Sequence, residues 1–403
     1  MKPRASGFAF RVLATSGHAR AAILSTPHAE VETPTFMPVG TQGSVKGLTP
    51  DEVASTGAKI MLGNTYHLWL RPSPEVVAKL GGLHGFSRWP HAMLTDSGGF
   101  QAFSLGGHIA RPIAGGPSAT KGLEVPKSLV KLDEEGFMFR SHLDGARHHL
   151  SPEEAVRIQG ILGADIQMQL DVCPPGDSPR KDVEEAVART TRWAKRALAC
   201  ERPPRQALFG IVQGATFVDL RRAHAEELAA LDPGFDGLAL GGFSVGEPIA
   251  KMHETLHEIA GALDAERPRY LMGVGTPLDL LEGIDAGVDM FDCVLPTRNA
   301  RNGQALTRFG KVQIKNSKWR EDKRPIDEEC SCACCGGGYS RGYLRHLYLS
   351  GEMTVLRLLS LHNLHWYGEL VAGCRAAIRD GTWSTFKVRT LARMAGENEN
   401  TLG

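Results

Sequence analysis

The stretch "DIQMQLDVCPPGDSPRKDVEEAVARTTRWAKRALACERPPRQALFGIVQG", residues 165–214, carries the pattern on which the fold is decided. Two short apolar runs, "DIQMQLD" (165–171) and "ALFGIVQG" (207–214), each end in polar or glycine residues, and a long amphipathic helical pattern lies between them. Ser178 reads as the N-cap of that helix, with Pro179 at its first position. Strand, crossover helix and second strand make a parallel βαβ unit. Six further runs have the same character: "TPTFMPVG" (33–40), "IMLGN" (60–64), "AMLTDSG" (92–98), "GLALGGF" (237–243), "RYLMGVG" (269–275) and "MFDCVLP" (290–296). Helices between them open on caps such as Ser151 in "SPEEAVRIQGIL" and Thr276 in "TPLDLLEGIDAG". Eight such units predict an α/β chain closed as a (β/α)8 TIM barrel, with its active site at the C-terminal strand ends.

Two segments exceed a minimal barrel. Residues around 99–150 read as an antiparallel insertion with turns at "DEEG" (133–136) and "DG" (144–145). Residues 305–365 read as a small subdomain, which leaves 1–304 and 366–403 for the barrel. The pattern "EMTVLRLLSLHNLHWYGELVAGC" (352–374) predicts the last helical element, packed against that barrel.

With 403 residues and 42% hydrophobic content, the chain can bury a large core. Its formal charge of +1 selects no partner, but from Arg298 to Arg324 nine basic residues face two acids. A solvated surface is the simpler reading of such a block; a phosphate-facing patch is the alternative. Arg11 interrupts the N-terminal apolar stretch, which excludes a signal peptide, and no run approaches the roughly 18 apolar residues of a membrane span. The isolated Cys173, Cys200, Cys293 and Cys374 suit a reducing, cytoplasmic setting.

The predicted strand ends present Asn64, Asp96, Asp171, Gln213, Gly241–Gly242, Gly273–Gly275 and Asp292. Charged groups gathered on one rim are costly as mere structure, so they point to chemistry. Two carboxylates across a barrel mouth suit glycosidic exchange, one attacking the anomeric carbon and the other moving protons. Separately, Cys330-x-Cys332-x-x-Cys335 can turn three thiolates toward one point. A tetrahedral ion needs a fourth ligand, for which His346, His362 and His365 all compete by position. A closed set of this kind is structural, because it leaves no open position for water.

The segments "FAFRVLATSGHARAAIL", "GNTYHLWLRP", "LTDSGGFQ", "FGIVQG", "GLALGGFSVGE", "YLMGVGTP", "MFDCVLPTRNARNGQ", the cysteine cluster and His362–Asn363 together resemble the tRNA-guanine transglycosylases, essentially end to end. The resemblance implies exchange of guanine 34 in GUN anticodons (tRNAs for aspartate, asparagine, histidine and tyrosine) for a 7-deazaguanine. It casts Asp292 as nucleophile on the ribose C1′ and Asp96 as general acid/base. The base pocket maps to Asp96, Ser97, Gly98, Gly99, Phe100, Asp171, Cys173, Gln213, Gly242, Phe243, Val245 and Met272, with Phe100 and Met272 sandwiching the ring. The anticodon contacts map to Gly273, Val274, Gly275, Thr276, Asp279, Thr297, Arg298 and Arg301. The zinc ligands map to Cys330, Cys332, Cys335 and His362, one structural Zn2+ per subunit, leaving Cys334 out.

Cys173 and Val245 match the bacterial branch, whose incoming base is preQ1 (7-aminomethyl-7-deazaguanine); the branch that takes bulkier queuine opens the pocket with Gly in the valine place. Bacterial members are homodimers, and Phe86, Tyr339, Tyr343 and His346 are candidate interface residues. The sequence departs from the common pattern at Val172 (Glu), Phe243 (Leu) and Thr276 (Lys), while Glu247 remains available to a cationic aminomethyl group. Two other classes compete: a non-catalytic tRNA-binding partner, disfavoured by the presence of both Asp96 and Asp292, and a metal-dependent barrel hydrolase, disfavoured by the lack of a histidine pair at the strand ends.

Overall fold

In the computed structural model, which describes residues 5–104 and 130–396, all eight runs form parallel strands of one closed sheet. The run at 33–40 divides into two short pieces. Thr35–Met37 pairs with Met290–Asp292, and Val39–Gly40 pairs with Ile60–Gly63, so this one run closes the circle. The other staves, Ala92–Thr95, Ile166–Met168, Ala207–Val212, Gly237–Leu240 and Arg269–Leu271, follow in chain order.

Every residue of these staves is buried apart from Val39, as a wall between two apolar layers requires. The two layers alternate along each strand. Ile60, Leu62, Leu94, Ile166, Met168, Phe209, Ile211 and Met290 form one cluster that fills the barrel, and Met61, Met93, Leu208, Leu238, Leu271 and Phe291 join a second cluster with the helices.

An antiparallel sheet of Ala9–Ser16, Ala19–Ser25 and Glu30–Thr33 lies outside the sequence expectations. Its Leu24 and Val31, with Phe8, belong to the barrel-filling cluster, so the sheet plugs the N-terminal end. Buried aspartates recur at that end. Asp165, Asp236 and Asp289 precede their strands and accept the N–H groups of Met93, Leu208 and Arg269 on neighbouring strands, at 2.8, 2.9 and 2.7 Å. Each also ties in another element: Arg20 reaches Asp289, His28 and His84 reach Asp165, and the Ala5 N–H reaches Asp236.

The insertion forms the expected antiparallel strands Val130–Leu132, Phe137–Arg140 and Arg147–Leu150; its residues 105–129 lie outside the described residues. Ser151 and Thr276 cap their helices as expected, Thr276 in a reciprocal box with Asp279. Ser178 does not. That helix runs Arg180–Ala199 with Pro179 at the cap position, which has no side-chain oxygen to offer, so the start lies later than the sequence pattern suggested. The long helix Met353–Arg379 packs on the barrel but is not the last, since Trp383–Ala395 follows it; it also runs through the 365/366 division drawn from sequence. Among the described residues no helix is long and apolar enough to cross a membrane.

Candidate active site and metal centre

The C-terminal strand ends place the carboxylates. Asp292 closes the eighth strand and is buried. Its Oδ1 accepts the Tyr270 hydroxyl at 2.6 Å and the Gly273 N–H at 2.7 Å, while Oδ2 accepts no described hydrogen bond. Burial pushes this carboxyl up, and those two donors hold it back by favouring the carboxylate. One oxygen is thus fixed and the other is left without a described hydrogen bond.

Asp96 follows the third strand. Its Oδ1 accepts the Thr65 N–H at 2.8 Å and its Oδ2 the Asn64 amide at 2.5 Å. Burial pushes its carboxyl up to about 7, with the Thr65 N–H opposing and the nearby Asp292 charge adding to the rise. A group poised there can give and take a proton at neutral pH.

A second cluster lies at the fourth, fifth and sixth strand ends. Asp171 accepts the Gln213 amide at 2.6 Å, and burial pushes its carboxyl up to about 6 against that bond. With Gln213 Nε2 turned to the carboxylate, its Oε1 is buried without a partner, an acceptor waiting for a donor. Gly241 and Gly242 are glycine of necessity: a Cβ would fall 2.7 Å from Gln213 Nε2 at the first and 2.3 Å from Oε1 at the second.

Cys173 is partly buried beside this cluster, and burial pushes its thiol up to about 12, which makes it inert lining. Ser97, Gly98 and Gly99 are buried at the mouth, Phe100 is exposed, and Met272 is partly buried. The Glu247 carboxylate accepts the Ser244 and Val245 N–H groups and so holds the turn that carries Val245. Val172 is buried in the apolar cluster, which would tolerate a glutamate poorly.

Several contributors are absent from the sequence reading. Tyr270 holds Asp292, joined by the N–H of Gly273, a residue the sequence reading had given to the anticodon. His224 accepts the Gln213 N–H through Nδ1 at 2.9 Å, and burial pushes it down to about 4, hence neutral. Arg221 is wholly buried under Gly241 and Gly242. Tyr270 could have been found as a polar ring inside a strand; Arg221 and His224 resemble any polar helix residues.

The residues mapped to tRNA contact differ among themselves. Asp279 is buried, with one oxygen in the Thr276 cap and the other on His253. Val274 and Thr297 are buried, and the Gly275 carbonyl accepts the Tyr367 hydroxyl. Gly273 is exposed, Arg298 and Arg301 are half-buried on the helix Leu295–Arg301, and Arg301 Nη1 lacks a partner. Burial and the neighbouring Arg298 push the Arg301 guanidinium down. In the basic block Arg308 and Arg324 are ion-paired, while Lys311, Lys315, Lys318, Arg320 and Lys323 are exposed and make no described ion pair.

The sulfurs of Cys330, Cys332 and Cys335 lie 3.6, 3.5 and 3.4 Å from His362 Nδ1, all four residues being buried. A tetrahedral ion with ordinary Zn–S and Zn–N bonds separates sulfur from nitrogen by about 3.6 Å, so the cage fits zinc. His362 Nε2 faces the Leu306 carbonyl at 2.9 Å, which leaves Nδ1 for a metal. His365 turns to Ser331 and Glu369, His346 is exposed, and buried Cys334 falls outside the group. The other possible ligand groups among the described residues exclude Asp96, Asp171 and Asp292, so the barrel mouth offers no metal cage.

Comparison with known proteins finds relatives along nearly the whole chain. A family model described as queuine tRNA-ribosyltransferase matches residues 15–396. A queuine tRNA-ribosyltransferase of Sorangium cellulosum is 65% identical over 95% of this chain and 91% of its own length. Proteins of the same name from Nitratidesulfovibrio vulgaris and Fusobacterium nucleatum are 51% and 46% identical, covering 94% and 96% of this chain and 95% and 98% of their own.

Proposed function

Since the chain belongs to the queuine tRNA-ribosyltransferase family, a family of tRNA-guanine transglycosylases in queuosine synthesis, we propose that it exchanges guanine 34 of GUN anticodons for preQ1 through a ribosyl–Asp292 intermediate. The observation that carries the reading is the division of labour between the carboxylates: Asp292 with one oxygen fixed and one free, Asp96 balanced near neutrality.

In the first half-reaction Asp292 Oδ2 attacks C1′, the C1′–N9 bond breaks, and its electron pair leaves on N9, which takes a proton from Asp96. Guanine departs. The incoming base then gives its N9 proton to Asp96, N9 attacks C1′, and the Asp292 carboxylate is released. Asp171 and the unpartnered Gln213 Oε1 accept N–H donors from the edge of the base, and Phe100 and Met272 take its faces. Val245 narrows the pocket against a bulky substituent, which favours preQ1 over queuine.

Arg298, Arg301 and the five exposed cations of the basic block supply phosphate and anticodon contacts. Cys330, Cys332, Cys335 and His362 hold one structural Zn2+. The chain works as a homodimer in the cytoplasm, and light scattering at twice the 43.6 kDa chain mass tests that assembly.

The exchange reading is tested with radiolabelled guanine and a tRNA bearing a GUN anticodon, in competition with preQ1 and queuine. Label should enter without net loss of base, and preQ1 should compete far better than queuine. Hydrolysis without incorporation would contradict the reading.

A further inference from the structure

Arg221, on the helix Val218–Ala229, has no exposed surface and no ion-pair partner among the described residues. Its donors go to four carbonyl oxygens instead: Nε to Ala215 at 2.5 Å, Nη1 to Val212 at 3.3 Å, and Nη2 to Gly241 at 2.9 Å and Gly242 at 3.3 Å. Its Cζ lies 3.6 Å from the centre of the Phe243 ring. Gly214 leaves the room, since a Cβ there would sit 2.7 Å from Arg221 Cγ. One planar fork therefore ties the ends of the strands that carry Gln213 and Gly242.

Burying a guanidinium without a counter-charge is expensive, and packing alone would be served as well by Leu or Met. Burial pushes its pKa down to about 9, which still leaves it charged at neutral pH. The cost has a geometric return. In a trans peptide the C=O and the following N–H point in opposite directions. With the Gly241 carbonyl held from below, the Gly242 N–H must point the other way, on the side of Cys173 in the pocket wall, where it opposes the upward push of burial on that thiol. Gly242 has φ +67°, a left-handed conformation that glycine tolerates best, so the peptide depends on its surroundings for its orientation.

We infer that Arg221 is a positioning residue for base recognition: by pinning the Gly241 and Gly242 carbonyls beneath the Phe243 ring, it aims the Gly242 N–H into the pocket beside Gln213 and Asp171. That N–H is then oriented before a base arrives, ready for the carbonyl oxygen of guanine or a 7-deazaguanine. The inference rests on the base-exchange reading above. Arg221 touches no reacting atom; it acts through the peptide it holds.

The test measures guanine exchange in R221K, R221M and F243L, with KM for guanine and for tRNA determined separately and folding checked by circular dichroism. Lysine keeps the charge but cannot span the carbonyls, so R221K should raise the guanine KM roughly tenfold, about the worth of one buried hydrogen bond. The tRNA KM should stay within about twofold, because the anticodon contacts lie elsewhere. F243L should give a smaller rise, about threefold. A purely structural role would lower activity per mole with both KM values unchanged, and a folded R221K or R221M with wild-type guanine KM would overturn the inference. Should neither Arg221 variant fold, an unchanged guanine KM in F243L would overturn it. Wild-type enzyme that failed to exchange guanine at all would sink the base-exchange reading itself, a distinct result.

Discussion

Burying Asp96 carries a cost to the fold. Its folded pKa of about 7 stands above the ordinary value of 3.8, so the folded state binds its proton more tightly than the unfolded chain. The stability this confers is fully present below about pH 4 and is lost as pH rises through about 7. Asp96→Asn, neutral throughout, should therefore abolish exchange yet gain on the wild type as pH rises, by about 1–3 kcal/mol at pH 8. Thermal melts at pH 5 and pH 8 check this; a stability difference independent of pH would contradict it. At this scale the sequence was informative where a charge ended an apolar run, as at Asp96, Asp171 and Asp292. It was silent on Arg221, because "LRRAHAEELAA" reads as an ordinary polar helix face. Arg222 next to it is indeed exposed, and only the packing tells the two arginines apart.

Elements show the same mixture. The staves were legible because a barrel wall buries nearly every residue of a short run, which leaves unbroken apolar stretches. The N-terminal sheet was not legible: Ala9–Ser16 has no buried residue and is cut by Arg11, and Arg20 breaks into the largely buried strand Ala19–Ser25. The cysteine lobe depends on one long helix. His362 brings a donor to the cysteines, while Asn363 beside it accepts the Leu306 N–H at 2.8 Å and donates to the Pro296 and Gln304 carbonyls. Two consecutive residues thus lock the lobe to the arginine-bearing helix Leu295–Arg301. Cys335→Ser should lose the metal and loosen this lobe, costing several kcal/mol. Cys334→Val should keep one zinc per chain by elemental analysis, since Cys334 lies outside the cage. A lost equivalent in Cys334→Val would mean that the ligand set is wrong.

For the whole molecule, closure of the barrel matters most. Because the run at 33–40 pairs on both sides, the third and eighth strands deliver Asp96 and Asp292 to one mouth. The N-terminal plug and the rim of buried aspartates hold the opposite end, away from the chemistry. In the exchange proposed above, Asp292 becomes covalently bound to the ribose. The most direct measurement incubates enzyme with GUN-anticodon tRNA without a competing base, followed by denaturing electrophoresis. The wild type should give a protein–tRNA adduct that survives denaturation and disappears when guanine is added, and Asp292→Ala should give none. An adduct of equal yield in Asp292→Ala, or full exchange activity in that variant, would contradict the account.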